Sequence, residues 1–359
     1  MGLFFVISTL LIWGMCLTVW KWCALAFPAL DGRLLTWLLP ALVTLFICTG
    51  IAYPRTHYGP GWVSILYYAA YISFGFVFLA FCTTAVFALT QGILKLFHVH
   101  ALQVLGPLSL LTMAIVFTMA VWGGFSQPKI KRIAVSVPGT PSLKIALLSD
   151  SHLGLGVSLS RFDKALARLE AEKPDVLFAL GDIFEYGPNR LAYAQRLARF
   201  SAPLGKYGVL GNHEYYVGYG DSKEFFKEAG LTLLENNTAT LSNGVQIAGL
   251  KDIHTAHVTP QEIAAVLNTL DKNRPTILLS HTPKYAEVAA ENGANLMFSG
   301  HTHNGQIWPF NYLVRLQFPR VYGLFDVNGM KFYITSGMFY WGIPLRFLAP
   351  AELPIIEVN

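Results

Sequence analysis

Residues 143–154 read LKIALLSDSHLG, and this stretch decides how the rest of the chain is interpreted. Its first six residues are apolar except for Lys144, which is typical of a buried strand in a parallel sheet. Asp150 and His152 follow directly where that strand would end. The stretch therefore predicts a buried strand with chemically active side chains at its carboxyl end.

The residues after this strand alternate between helical and strand patterns. Apolar residues recur at helical spacing over 162–169, and a second apolar run covers 175–180. This order predicts a β–α–β unit with parallel strands, and the alternation continues to residue 358. We therefore expect one α/β domain over residues 143–359, preceded by a linker and lead-in strand over residues 126–142.

The first third of the chain has a different composition. Of 359 residues, 53% are hydrophobic and 13% are charged, and residues 1–125 hold only four basic residues and one acid. Such a composition excludes a disordered chain and a wholly soluble enzyme. A spanning helix needs about 20 apolar residues. Four stretches qualify: 3–27, 34–53, a segment within 56–94, and 101–125. Residues 1–125 are therefore predicted to form a four-helix transmembrane anchor.

The basic residues around these helices predict an orientation. With four spans, the loop between the second and third helices lies on the same side of the membrane as the chain after the fourth helix. That side carries Arg55, Lys129, Lys131 and Arg132. Arg33 and Lys95 lie on the other side, with Lys21 near it. The positive-inside rule then favours a cytoplasmic domain after the fourth helix. Because the helices carry almost no ionisable residue, an anchor is favoured over a transporter or sensor.

Polar residues cluster after five of the predicted strands. The clusters contain Asp150 and His152, Asp182, Asn212 and His213, His281, and His301 and His303. The carboxyl ends of parallel strands line one crevice in an open α/β sheet, so these side chains are expected to meet. Carboxylate, amide and imidazole groups suit Mn²⁺, Fe or Zn²⁺. They are too many for one tetrahedral ion with an open position, whereas two ions bridged by a carboxylate would use them all.

The order of motifs DSH, GD, GNHE, SH and GHTH resembles the calcineurin-like metallophosphoesterase superfamily. Within it, GHTHNGQIWPFNYLVRLQFP and YWGIPLRFLAPAELPIIEV look like the YkuE/YaeI-like bacterial branch, whose members often have N-terminal membrane helices. The resemblance covers about residues 143–358. It implies a four-layer α/β/β/α sandwich, a phosphoesterase activity and a location in the bacterial inner membrane.

The resemblance also implies a role for each clustered residue. It places a first metal on Asp150, His152, Asp182 and His303, and a second on Asp182, Asn212, His281 and His301. Asp182 would bridge two divalent ions, with Mn²⁺ favoured and Fe or Zn²⁺ as alternatives. His213 would act as the acid or contact the phosphate. Asn304 and Met338-Phe339 depart from the pattern of this branch, which leaves substrate preference open.

Aromatic and basic residues near the C-terminus suggest what the substrate is. Trp308, Phe310 and Arg315 follow the last histidine motif, and Arg346 lies near the C-terminus. Such residues suit contact with membrane lipids and a lipid phosphate or lipid-linked substrate. A well-packed flap, a non-catalytic scaffold and a phosphodiesterase for a soluble nucleotide remain alternatives. The charge of residues 126–359 is nearly balanced, so no nucleic-acid partner is expected.

Overall fold

The protein was analysed as a computed structural model, which describes residues 2–30, 32–56 and 61–359, without the side chains of 2–4, 33 and 54–56. The chain forms two compact units. The helical unit contains the residues up to Phe125 together with Gly342–Phe347, and the sheet unit contains Ser126–Trp341 and Leu348–Asn359. The side chains of Arg33 and Arg55, on which the predicted orientation partly depends, lie outside the described residues.

Four long helices make up most of the helical unit. They are α1 (Gly2–Ala26), α2 (Arg33–Thr56), α3 (Gly61–Leu96) and α4 (Leu102–Phe125). Each is long and apolar enough to cross a membrane, with mean hydropathy between 1.5 and 2.2 in its most apolar window. Their outward faces carry many large exposed hydrophobic side chains, as expected where lipid is the solvent. The prediction of four helices long and apolar enough to span a membrane is confirmed.

A short C-terminal segment, Gly342–Phe347, belongs to the helical unit. Glycines let its backbone lie directly against α4. A Cβ atom on Gly124 would come within 2.1 Å of the Pro344 carbonyl oxygen, and one on Gly123 within 2.2 Å of the Arg346 oxygen. Only glycine allows so close an approach between two backbones. The segment is therefore an integral part of the helical unit.

The sheet unit contains twelve strands and seven helices in its described residues. The strands are β1 (Lys129–Val135), β2 (Leu143–Leu148), β3 (Val176–Ala179), β4 (Lys206–Gly208), β5 (Thr232–Leu233), β6 (Asn237–Thr240), β7 (Gln246–Gly249), β8 (Thr276–Leu279), β9 (Leu296–Ser299), β10 (Gly323–Val327), β11 (Met330–Ile334) and β12 (Glu352–Val358). The helices are α5 (Leu159–Glu170), α6 (Arg190–Ala198), α7 (Asn212–Val217), α8 (Tyr219–Glu228), α9 (Pro260–Leu267), α10 (Ala286–Glu291) and α11 (Asn311–Gln317).

These strands form two mixed six-stranded sheets. The first has the order β1-β12-β2-β3-β4-β5, and the second has the order β10-β11-β9-β8-β7-β6. Strands β2, β3 and β4 are parallel neighbours, as are β7, β8 and β9. All of these strands except β4 are almost entirely buried, because each is covered on both faces. Parallel pairing places the carboxyl ends of these strands at a common edge in each sheet.

Three hydrophobic cores stack the sheet unit into layers. One joins the inner faces of the two sheets and includes Phe178 and Phe298. A second joins the first sheet to α5, α6 and α8, and includes Phe162 and Tyr193. A third joins the second sheet to α9 and α10. The layers therefore follow the order α/β/β/α, and the predicted mixed α/β fold is confirmed.

Candidate metal centre

The five predicted clusters lie at the ends of strands from both sheets. Asp150 and His152 follow β2, Asp182 follows β3, Asn212 and His213 open α7 after β4, His281 follows β8, and His301 and His303 follow β9. Six of the seven predicted ligands are buried, and His301 is partly buried. Two sets of three, Asp150/His152/His303 and Asp182/His281/His301, each bring their donor atoms within 4.8 Å of one another.

The first set places two imidazoles face to face beside a carboxylate. The Nε2 atoms of His152 and His303 are 3.0 Å apart, and His303 Nε2 lies 3.5 Å from Asp150 Oδ1. The Asp150 carboxylate is itself held by the Ser149 hydroxyl and by the His301 backbone N–H, at 2.5 and 2.9 Å. Such convergence of nitrogen and oxygen donors fits a divalent cation.

The second set also brings two imidazoles to a carboxylate, but here the rings meet edge to face. His281 Nε2 lies 3.3 Å from Asp182 Oδ2 and 3.1 Å from His301 Nδ1. His281 Nδ1 donates to the Leu180 carbonyl at 2.8 Å, which leaves Nε2 as the ring nitrogen directed at Asp182 and His301. A backbone acceptor on the distal nitrogen is the usual way in which a protein orients a metal-binding histidine.

Asp182 lies between the two sets. Its Oδ2 atom is 3.3 Å from His281, 3.9 Å from His152 and 4.0 Å from His213, measured to Nε2 in each case. Burial alone would raise the pKa of Asp182, but the His281 and His213 imidazoles hold it well below its usual range. The carboxylate is therefore ionised and central, as a group shared by two cations would be.

Asn212 adds an oxygen donor. Its Oδ1 atom is buried and has no hydrogen-bond partner among the described residues. Burying an unpaired amide oxygen costs about 1–3 kcal/mol, so native structures rarely leave one without a purpose. Asn212 stands between two residues that touch Asp182: a Cβ atom on Gly211 would come within 2.2 Å of Asp182 Oδ1, and the His213 backbone N–H donates to that oxygen at 2.9 Å. The donor set as a whole fits divalent metal ions.

The backbone at the site is strained. Five of the seven predicted ligands have positive φ, namely Asp150 (51°), His152 (42°), Asp182 (52°), His301 (71°) and His303 (49°). A non-glycine residue in this region costs about 1–2 kcal/mol. Asn304, which stands where glycine is usual, has φ of 53°, a conformation that asparagine tolerates better than most residues. Its side chain therefore replaces the glycine without disturbing the turn.

His213 is held by a carboxylate that the sequence did not single out. Glu185 Oε1 lies 2.6 Å from His213 Nδ1 and 2.9 Å from His152 Nδ1. Burial would lower the pKa of His213, but the carboxylates of Asp182 and Glu185 outweigh it and raise that pKa to about 9. Glu185 follows Asp182 by three residues in GDIFE, and this spacing was the available signal.

Glu214 neither orients His213 nor faces solvent. Its Oε2 atom accepts the backbone N–H groups of Gly211 and Asp182 at 2.7 and 2.8 Å, and its Oε1 atom accepts that of Ile183 at 2.6 Å. The side chain is fully buried, which raises its pKa to about 7. Glu214 therefore ties the loop that carries Asp182 to the start of α7.

The predicted substrate contacts are not brought together. Trp308, Phe310 and Arg315 lie on the loop and helix α11 that follow His303, and all three are exposed. Arg346 is only 2% exposed and lies in the Gly342–Phe347 segment of the helical unit, so its side chain is not available to a substrate. The backbone approach of that segment to α4 accounts for the burial.

Met338 and Phe339, the other departure from the pattern of the bacterial branch, lie behind the site. Both are buried in the core between the first sheet and its helices. Their backbone N–H groups donate to the carbonyl oxygens of Ser149 and Asp150, at 2.9 and 3.3 Å. They therefore support the loop that carries Asp150, and their side chains do not line a substrate cleft.

Comparisons with known proteins agree with this geometry. The family model described as calcineurin-like phosphoesterase matches residues 143–305. An uncharacterized metallophosphoesterase of Campylobacter jejuni is 32% identical over 265 residues, which cover 72% of this chain and 71% of that protein. YkuE of Bacillus subtilis, also an uncharacterized metallophosphoesterase, is 30% identical over 62% of this chain and 80% of its own.

A vertebrate protein is similar as well. A transmembrane protein with metallophosphoesterase domain from Danio rerio is 29% identical over 70% of this chain and 62% of its own length. The family model, these relatives and the convergent donor set agree on the same domain. The chain therefore belongs to the calcineurin-like phosphoesterase family and is a metal-dependent phosphoester hydrolase.

Proposed function

We propose that this protein is a membrane-anchored phosphoesterase that uses two divalent ions to hydrolyse a phosphate ester or pyrophosphate bond in a lipid or lipid-linked substrate. The observation that carries the two-ion proposal is the position of Asp182 between two separate donor sets. Seven donors on five loops exceed what one ion with an open position needs. A shared carboxylate is the simplest arrangement that uses them all.

In this proposal the residues divide into two sites. Asp150, His152 and His303 would hold one ion, and Asn212, His281 and His301 the other, with Asp182 shared. When bound, the ions would supply positive charge to the phosphoryl oxygens and acidify the attacking water. Mn²⁺ is the favoured ion because carboxylate and amide oxygens accompany the imidazoles.

His213 would protonate the leaving oxygen. Its Nδ1 atom is occupied by Glu185, and its Nε2 atom lies 4.0 Å from Asp182 Oδ2 and thus faces the centre of the site. The neighbouring carboxylates hold the pKa of His213 at about 9, so the imidazole carries the proton near neutral pH. A positioned acid of this kind contributes roughly 10²–10⁴-fold to the rate.

The lipid part of the proposal is supported by an exposed apolar surface. We call Trp308, Phe310, Leu313 and Leu316 the apolar patch. All four are exposed, and Leu316 is 84% exposed. Buried Ile307 and Phe318 anchor the segment on either side, while α11 itself buries none of its residues. A fully packed flap would bury such side chains, whereas contact with lipid would explain their exposure.

A hydrolysis assay tests the two-ion part. The full-length protein in detergent, loaded with Mn²⁺, should cleave an aryl phosphodiester, and His213→Ala should lower kcat by about 10²–10⁴-fold while retaining its metal. The loss should shrink for substrates with more acidic leaving groups. Loss of metal from the variant would instead identify His213 as a ligand. An inactive wild-type protein that binds metal would favour a non-catalytic scaffold.

A second assay tests the lipid part. In mixed micelles, a phospholipid or lipid-linked diphosphate should be cleaved faster than a water-soluble nucleotide. Leu316→Ser and Leu313→Ser should slow cleavage of the lipid substrate and leave a soluble aryl phosphodiester unaffected. Faster cleavage of the nucleotide would favour a soluble phosphodiesterase activity instead.

The location is also a proposal. We infer a bacterial inner-membrane protein whose sheet unit is cytoplasmic, on the charge bias around Lys129 and Lys131. Lys129, which is exposed, is replaced by cysteine in a variant whose four native cysteines have been changed to serine, and labelling with a membrane-impermeant reagent tests the orientation. Labelling should require cell permeabilisation, and labelling of intact cells would reverse the orientation.

A further inference from the structure

Two exposed aromatic rings flank His213. The centroids of Tyr216 and Trp341 lie 5.4 and 5.5 Å from that of His213, and both rings meet the imidazole edge to face. Tyr216 is 56% exposed and Trp341 is 49% exposed, whereas the His213 side chain is only 12% exposed. The accessible approach to His213 is therefore bordered by aromatic surface.

The Trp341 backbone is held from the histidine loop. The Gln306 side-chain amide accepts the Trp341 N–H at 2.8 Å and donates to the Trp341 carbonyl at 3.1 Å. Gln306 lies three residues after His303 and has φ of 56°. One side chain therefore fixes both backbone polar groups of Trp341 and links the position of its ring to the candidate metal centre.

Tyr216 is held in a comparable way. The Tyr186 hydroxyl donates to the Tyr216 carbonyl. Tyr186 follows Glu185, whose carboxylate binds His213 Nδ1. The backbones of Trp341 and Tyr216 are held by hydrogen bonds, and both rings pack against His213. Binding of a group to these rings therefore requires little further ordering of the protein, and the free-energy cost of that ordering is small.

We propose that the rings of Trp341 and Tyr216 form a recognition site for the leaving group, and that this site favours a leaving group that carries a flat ring over one with a flexible chain. The proposal rests on the proposed role of His213. The acid must lie next to the leaving oxygen, so the group attached to that oxygen passes the rings that border His213. Contact between aromatic rings adds about 0.5–1.5 kcal/mol beyond the burial of area.

Matched substrates separate recognition from chemistry. The test compares two phosphodiesters that yield the same phosphate monoester on hydrolysis. One releases an aryl alcohol, and the other releases a fluoroalkyl alcohol of equal acidity. With the full-length Mn²⁺-loaded protein, Trp341→Ala should lower kcat/KM for the aryl substrate by about 3- to 10-fold, mainly through KM. The fluoroalkyl substrate should be cleaved as by the wild type.

Three further variants complete the test. Trp341→Phe retains a ring and should retain most of the aryl preference. Gln306→Asn tolerates the positive φ but is too short to hold Trp341, so it should lose part of the preference although the ring remains. Leu191→Ala, which truncates an exposed apolar side chain on α6, is the control and should change neither substrate.

The outcomes distinguish this proposal from the one on which it rests. Equal losses for both substrates in Trp341→Ala would mean that the ring only supports His213, and unchanged kinetics would mean that it contacts no leaving group. Either result overturns the recognition site alone. A wild-type protein that cleaves neither substrate would overturn the proposed phosphoesterase function and this inference with it.

Discussion

Replacing Glu185 by glutamine should slow catalysis without unfolding the protein. One carboxylate oxygen binds both His213 Nδ1, at 2.6 Å, and His152 Nδ1, at 2.9 Å. Burial would raise the pKa of Glu185, but the two imidazoles outweigh it and lower that pKa to about 2, so the group is charged. Glutamine keeps the shape and removes the charge that favours the protonated, correctly oriented His213.

The size of the effect follows from this double contact. Loss of a group that orients a catalytic or metal-binding histidine costs about 10- to 100-fold in activity or metal affinity. That range corresponds to about 1.4–2.7 kcal/mol. It lies below the roughly 10²–10⁴-fold expected for removing His213 itself, because a misoriented acid still transfers some protons. The contact with His152 should also weaken retention of Mn²⁺.

A double-mutant cycle at saturating Mn²⁺ measures the first contact alone. Glu185→Gln in a His213→Ala background should cost little more than His213→Ala, because the acid that it orients is already absent. Glu224→Gln makes the same chemical change at an exposed position and should be silent. If kcat is normal in Glu185→Gln, or if the two losses simply multiply, Glu185 does not act through His213.

Three other changes have clear expectations. Asp182→Asn should abolish turnover and lower the metal content measured by elemental analysis, and near-normal values for both would exclude a shared carboxylate. Gly300→Ala would place a Cβ atom within 2.3 Å of two oxygens beside the site, so metal retention and Tm should fall, whereas Gly220→Ala, which meets open space, should change neither. Gly124→Ala would meet a backbone carbonyl at 2.1 Å and should destabilise the full-length protein in detergent by about 1–3 kcal/mol, a loss that the unobstructed Gly92→Ala should not show.

The alternation of strands and helices predicted a mixed α/β domain and the convergence of the site, whereas the four layers were implied only by the resemblance to the phosphoesterase family. Apolar runs such as Val176–Ala179 carry the signal of a doubly covered strand in their composition alone. Because a parallel strand delivers its last residues to a fixed edge, the polar residues after β2, β3 and β4 had to meet one another, as had those after β8 and β9. The stacking of the two sheets brings these two groups together. These apolar runs and strand-end polar residues were informative because burial in the sheet and the shared strand edge apply to the whole fold.

The roles of the acids could not be predicted in this way. Glu214 directly follows His213, and Glu185 stands three residues after Asp182. The role of each acid depends on which way its side chain turns. Glu214 turns back onto backbone N–H groups at the start of α7, while Glu185 reaches two imidazoles from different loops. Side-chain direction in a loop is set by tertiary contacts, which leave no periodic trace in the sequence.

The placement of Gly342–Phe347 was equally invisible to pattern reading. No motif or periodic pattern in the sequence links these residues to the glycines of α4. The contact forms because Gly124 lies against the Pro344 carbonyl and Gly123 lies against the Arg346 carbonyl, with no side chain between the two backbones. Such a contact joins residues that are far apart in the chain, so local composition does not predict it.

This segment has a consequence for the modularity of the protein. The chain crosses between its units at three peptide bonds, after Phe125, Trp341 and Phe347. Recombination at a single point in the gene therefore cannot exchange the whole helical unit for another one. A version trimmed to residues 126–359 would carry Pro344 and Leu345, both buried in the intact protein, without the helices that cover them. The helical unit and the sheet unit therefore cannot be separated by one cut of the chain, and a form without the helices would need a redesigned loop in place of residues 342–347.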